Sequence, residues 1–197
     1  MKKFVSVAVL FVVFFIGCSN ESSINSPLED LVKEELMARE NLSGLQLNKS
    51  LTITKEINGE EGGILFVGDF FSAQNGQPGA IFASCVFPRG AFKGTKTITM
   101  TVDDSTLTGT FSPHMEFDKP VLFSVLFTGL NLSKYDQSQI SFVYFDENGT
   151  KNVIKSWFIH FNKLKGVLGI LNAQLPHFSR YGFIRKLGVQ NSTSSSD

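Results

Sequence analysis

An all-β fold, an antiparallel β-sandwich, is what this sequence predicts, and three observations predict it. First, Thr95-Lys-Thr-Ile-Thr-Met-Thr-Val102 alternates Ile98, Met100 and Val102 with Thr97, Thr99 and Thr101, the period of two that sets one strand face on a core and the other toward water. Second, eight further runs rich in β-branched and aromatic residues follow at roughly 8 to 15 residues, as in sandwiches and barrels rather than βαβ units. Third, only one segment carries a helical period, and no fixed repeat runs through the chain, which sets solenoids and propellers aside.

Taken in order, the chain opens on Lys2 and Lys3, then an apolar run from Phe4 to Ile16 broken only by Ser6, then Gly17 before Cys18. The run is 13 residues long, short of the roughly 20 that span a bilayer, so residues 1–17 read as a signal peptide. Phe15-Ile16-Gly17-Cys18 resembles the bacterial lipobox, with Phe15 where that motif usually has Leu. The resemblance implies acylation of the Cys18 thiol and cleavage before it, and more than one acyl chain is what stable attachment requires. Residues 18–26 then form the lipidated cysteine and a small, polar tether. Ser26-Pro27-Leu28-Glu29 matches a capping box with Pro at the first helical position, and Leu28, Leu31, Val32 and Leu36 keep a helical period. The expectation is one short amphipathic helix over 27–40, ended by Asn41 and Gly44, with 27–44 as helix and linker.

The sandwich is expected over 45–188. Its runs are Leu51–Ile57, Gly63–Phe70, Ala80–Phe87, Thr95–Val102, Val121–Thr128, Ile140–Phe145, Val153–Phe161, Val167–Leu171 and Phe178–Ile184. Asn148-Gly149 is the strongest hairpin turn in the chain. Val121–Phe127 is apolar on both faces and reads as a central strand. Residues 189–197 are a polar tail, expected to be disordered.

Composition narrows the function classes. The 197 residues hold 18 basic and 18 acidic side chains and are 42% hydrophobic and 18% charged, which excludes a disordered polymer. Nothing here resembles the concentrated basic stripe that binds nucleic acid. Removing residues 1–17 takes Lys2 and Lys3 with it and leaves a net charge of about −2. With Cys18 acylated, Cys85 has no partner for an intrachain disulfide and reads as a small buried hydrophobe.

Three blocks carry a resemblance to a known module: Val86-Phe-Pro-Arg-Gly-Ala-Phe92, Phe111-Ser-Pro-His-Met-Glu-Phe-Asp-Lys-Pro-Val121 and Pro176-His-Phe-Ser-Arg-Tyr-Gly182. In this order and spacing they resemble the ZU-5 domain over about residues 60–185. That β-sandwich occurs in zonula-occludens scaffolds, netrin receptors, ankyrins and related bacterial envelope proteins. The resemblance implies a non-enzymatic interaction or scaffolding module, with no partner to carry over. Physically, Pro88-Arg89-Gly90 breaks a strand, and Phe111 and Phe117 are expected in the core.

Some ZU-5 proteins, and the unrelated nucleoporin autoproteolytic domain, cut themselves within a His-Phe-Ser tripeptide. Carried over, Ser179 Oγ would attack the Phe178 carbonyl while His177 takes its proton. A hydrogen-bonded structural corner accounts for the same residues. Other constellations fail: His114 and Glu116 lack a following Cys-x-x-Cys, only three His exist, and Asp103, Asp104 and Asp118 lack calcium-loop spacing. The two adjacent aspartates are expected in a solvated turn, and neither cofactor nor metal is expected.

The sequence therefore predicts an envelope lipoprotein on the periplasmic face or cell surface. Its partners would be the membrane, through acyl chains on Cys18, and an unidentified envelope protein, without nucleic acid. The alternatives are a self-cleaving domain using His177 and Ser179, and a carrier enclosing an apolar ligand between its sheets.

Overall fold

A computed structural model of the chain describes residues 33–39, 49–72, 78–146 and 148–187. The leader, Cys18, the tether, the helix expected before residue 33 and the tail at 189–197 lie outside the described residues.

Twelve strands are described: β1 (Lys33–Leu36), β2 (Ser50–Asn58), β3 (Gly63–Ser72), β4 (Pro78–Phe87), β5 (Thr95–Asp103), β6 (Thr108–Ser112), β7 (Glu116–Phe127), β8 (Ile140–Phe145), β9 (Lys151–Val153), β10 (Phe158–Asn162), β11 (Val167–His177) and β12 (Arg180–Leu187). Every pairing is antiparallel. A seven-stranded sheet runs β2-β5-β6-β12-β8-β9 with β1 also on β12, and a five-stranded sheet runs β10-β11-β7-β4-β3. The predicted all-β sandwich is therefore the fold.

Period two decides most of it. In β5, Ile98, Met100 and Val102 are fully buried while the threonines face outward. There Thr99 and Thr101 meet Thr54 and Thr52 across the β2 pairing at 2.8 and 2.9 Å. The run at Val121 lies in β7, the middle strand of its sheet. The Asn-Gly signal closes the β8–β9 hairpin, where Asp146 Oδ1 accepts the amides of Asn148 and Thr150 and Gly149 has φ +77°.

Three differences from the sequence reading have physical reasons. The expected helix over 27–40 is, in its described part, the strand β1. β6 covers only Arg180–Gly182 of β12, and β1 takes the vacant length beside Ile184–Leu187, with Lys33 opposite Leu187. Tertiary pairing overrides a narrow helical stripe. Among the described residues, Lys33–Leu36, ahead of the expected start at residue 45, is therefore part of the sandwich. The run Val153–Phe161 splits because β9 belongs to one sheet and β10 to the other, so the chain crosses between them at 154–157. Likewise Phe178–Ile184 is not one regular strand, since β11 and β12 lie in different sheets and the chain turns the corner at Phe178-Ser179.

The corner gathers the core. Phe178 is fully buried, stacks on Phe111 with centroids 5.0 Å apart, and meets Phe117 and Phe87 edge-on at 4.8 and 6.1 Å. Phe92 packs on Phe87, and Tyr181 on Phe111. The three sequence blocks thus converge on one aromatic cluster, with both Phe178 and Tyr181 buried there because of the turn. Phe123, Phe142, Phe183 and Phe127 extend it through the sandwich. Packed rings join the two sheets in one buried cluster.

Candidate functional site

The outer face of the five-stranded sheet departs from the usual rule that the solvent side of a strand is polar. Phe66, Phe70 and Phe158 stand on it at 58, 74 and 51% exposure, joined by Ile64, Val86 and Leu171. Alternation alone puts them there, because the residues between them face the core.

Two neighbouring rows of side chains shape this face. In the first, Phe66 pairs with Ser84 and Ser84 with Ser124; across the next strand Leu171 pairs with Phe158. In the second, Gly68 pairs with Phe82, Phe82 with Leu126, Leu126 with Gly169 and Gly169 with His160. The first row is thus small in the middle and large at its ends. The second is large in the middle at Phe82 and Leu126, with Gly68 and Gly169 on either side and His160 beyond, and its two glycines decide where the large residues go. A Cβ at Gly68 would fall 2.3 Å from the Phe82 ring, so that ring lies over Gly68. A Cβ at Gly169 would fall 2.9 Å from Leu126 Cδ1, so Leu126 leans the opposite way. Phe82 and Leu126 part, and a trough of about 400 Å³ opens with Ser84 and Ser124 on its lining.

The trough is held in shape. Phe82 stacks on Phe66 with centroids 6.5 Å apart to form an aromatic wall, and Phe70, itself outside the lining, backs Phe82 edge-on at 5.0 Å. On the other side β11 bulges between Ile170 and Ala173, and Asn172 adopts φ +51°. Asn tolerates that region better than most residues, and its amide donates to Ser124 Oγ at 3.0 Å. No Asp, Glu, Lys or Arg lines the trough, and its polar side chains are Ser84, Ser124 and His160.

The other sequence candidates lie elsewhere. Ser179 Oγ donates to the Phe145 carbonyl at 3.0 Å, while His177 Nδ1 stands 3.5 Å from the Tyr181 hydroxyl. Tyr181 Oη donates to the His177 carbonyl at 2.5 Å, and burial pushes its phenol pKa up. The geometry gives Ser179 an acceptor and His177 a tyrosine, and it does not join the two in a base–nucleophile hydrogen bond. Cys85 is buried, and burial pushes its thiol pKa up, the inert condition expected of it.

Asp104 is not in a solvated turn: it has no exposed surface and pairs with Arg39. Arg39 donates to Asp104 Oδ1 at 2.6 Å and to the carbonyls of Gly129 and Thr128 at 2.7 and 3.0 Å, with its guanidinium over the Phe71 ring. Burial pushes the Asp104 carboxyl up from the ordinary carboxylate value while Arg39 pulls it down, and the net direction is upward. Asp103 is also pushed up by partial burial, but hydrogen bonds from Ser105 and Thr106 outweigh this and leave it lowered. Among the described residues no three His, Cys, Asp or Glu gather to hold a metal ion, and no helix is long and apolar enough to cross a membrane.

Sequence reading missed the trough because its signal is spread over five strands. Gly68, Ser84, Ser124 and Gly169 become neighbours only once the pairing register is known. Compared with models of known families, with curated proteins and with solved structures, the chain matches none.

Proposed function

We propose that the chain is a bacterial envelope lipoprotein, held at a membrane by acyl chains on Cys18, whose β-sandwich is a non-catalytic binding module. The binding surface is the outer face of the five-stranded sheet. The observation that carries this reading is the exposed aromatic face around Phe66, Phe70 and Phe158, set over a core that is already filled. Exposed apolar area of this kind stays in contact with water at a cost unless something covers it, and fully burying one large side chain is worth about 1.5–3 kcal/mol. The lipobox-like Phe15–Cys18 supports the attachment, and the resemblance to ZU-5 sandwiches supports a scaffolding or interaction role.

Two measurements test the reading. Labelled palmitate should enter the full chain in a bacterial host and fail to enter the Cys18→Ser variant; equal labelling of both would remove the anchor. Intact mass of the mature chain should give one species starting at Cys18. A fragment of residues 179–197, absent from Ser179→Ala, would replace the non-catalytic reading with self-cleavage through His177 and Ser179.

A further inference from the structure

We propose that the trough on the five-stranded sheet is a binding site for one uncharged, elongated, lipid-like molecule with an apolar body and a single neutral hydrogen-bonding group. This rests on the reading of that outer face as the binding surface, and adds what occupies it.

Charge selects the class of ligand. The twelve residues around the trough are aromatic, aliphatic, glycine, two serines and one histidine, with no carboxylate, ammonium or guanidinium among them. A charged ligand group would give up its water here without a counter-charge, a cost of several kcal/mol or more. A hydroxyl, ester or amide needs only one partner. Ser124 Oγ accepts the Asn172 backbone amide and turns its own proton toward Asn172 Oδ1, which leaves the Ser84 hydroxyl opposite it and the His160 ring as the groups that meet the ligand's polar atom.

Shape selects a small molecule over a larger surface. The Ser84–Ser124 floor is recessed between the Phe66–Phe82 wall and Leu126, Leu171 and Phe158. A second copy of the same concave face, or the plane of a bilayer, would rest on the walls and leave the floor empty. The volume of about 400 Å³ falls within the roughly 300–1,000 Å³ of small-molecule sites. The first row crosses from β3 to β10, four strand spacings of about 4.8 Å each, so the site is longer across the sheet than along it. Glycine at 68 and 169 is what lets the central side chains part, which makes the recess a property of the backbone register rather than of one rotamer.

Nile red, uncharged and apolar, is the probe for the test. The purified mature chain should bind one Nile red per chain saturably, with blue-shifted emission. Decan-1-ol should displace it at a concentration at least tenfold lower than decanoate or decyltrimethylammonium, all below their aggregation limits. Ser84→Phe, which fills the floor from the solvent side, should weaken Nile red at least tenfold with an unchanged melting temperature, and Phe158→Ala should weaken it as well. Unchanged affinity in both variants, equal displacement by the two ions, or no saturable binding would each overturn the site. A benzophenone side chain placed at Phe70, outside the trough, separates the two readings in cells. A protein cross-link without Nile red binding overturns the ligand and leaves the outer-face reading standing, whereas neither signal overturns both.

Discussion

Replacing Arg39 with Met keeps the stem of the side chain and removes its charge, leaving Asp104 buried without a counter-ion. Removal of one partner from a buried pair typically costs about 3–5 kcal/mol, so the urea midpoint of Arg39→Met should fall by a corresponding amount at neutral pH. The loss should shrink as pH falls. The Asp104 carboxyl already lies above its unfolded value because of burial, and without Arg39 it rises further. A raised acid contributes stability that is fully present below the unfolded value and is lost as pH rises through the folded one. Asp103 behaves in the opposite sense: its lowered carboxyl contributes above the unfolded value and loses that contribution as pH falls through the folded one. Carbon-detected NMR titration should therefore place Asp103 below and Asp104 above the ordinary carboxylate value of 3.8. The reverse order would refute the assignment. None of this is legible in Asp103-Asp104 as letters, because two adjacent aspartates look like a water-facing turn until a distant arginine is placed on one of them.

At the scale of elements, β1 is the test of what holds the short strands. Its rungs to β12 are few, and the buried side chain that follows it, Met37, anchors it through the amide that donates to the Phe183 carbonyl at 2.8 Å. Met37→Ala should destabilise the fold by about 2–5 kcal/mol, measured by chemical denaturation, and hydrogen exchange should speed at β1 before any strand of the five-stranded sheet. Uniform exchange along the chain would show that β1 is no separate unit. The long strands were legible because burial on one face imposes period two over many residues, as at Thr95–Asp103. β1 was not, since Lys33-Glu-Glu-Leu36 carries no strand pattern and its pairing is decided by the open side of β12. β6 escaped for a related reason, five residues with Gly109 among them being too few for a pattern. The Phe178-Ser179 corner is half legible: its residue types stand out in the sequence, but the change of sheet that buries both Phe178 and Tyr181 is a matter of topology.

For the whole molecule, a single core spanning both sheets implies one cooperative transition. Cys85, buried near the C-terminal end of β4, reports on it: in a Cys18→Ser chain a thiol reagent should react with native protein only at the rate of global opening, and at once in denaturant. Rapid labelling of the native chain would contradict the packing around β4. The overall architecture was readable because it follows from pattern and turn chemistry summed over many residues. The binding trough was not, because it depends on which row of one strand meets which row of the next. A last consequence follows from the pairing of Lys33 with Leu187. The described sandwich opens and closes on the two sides of one rung, so tension drawn between Lys33 and Leu187 loads one rung at a time and β1 peels like a zip. The aromatic interior is mechanically shielded until that strand has gone.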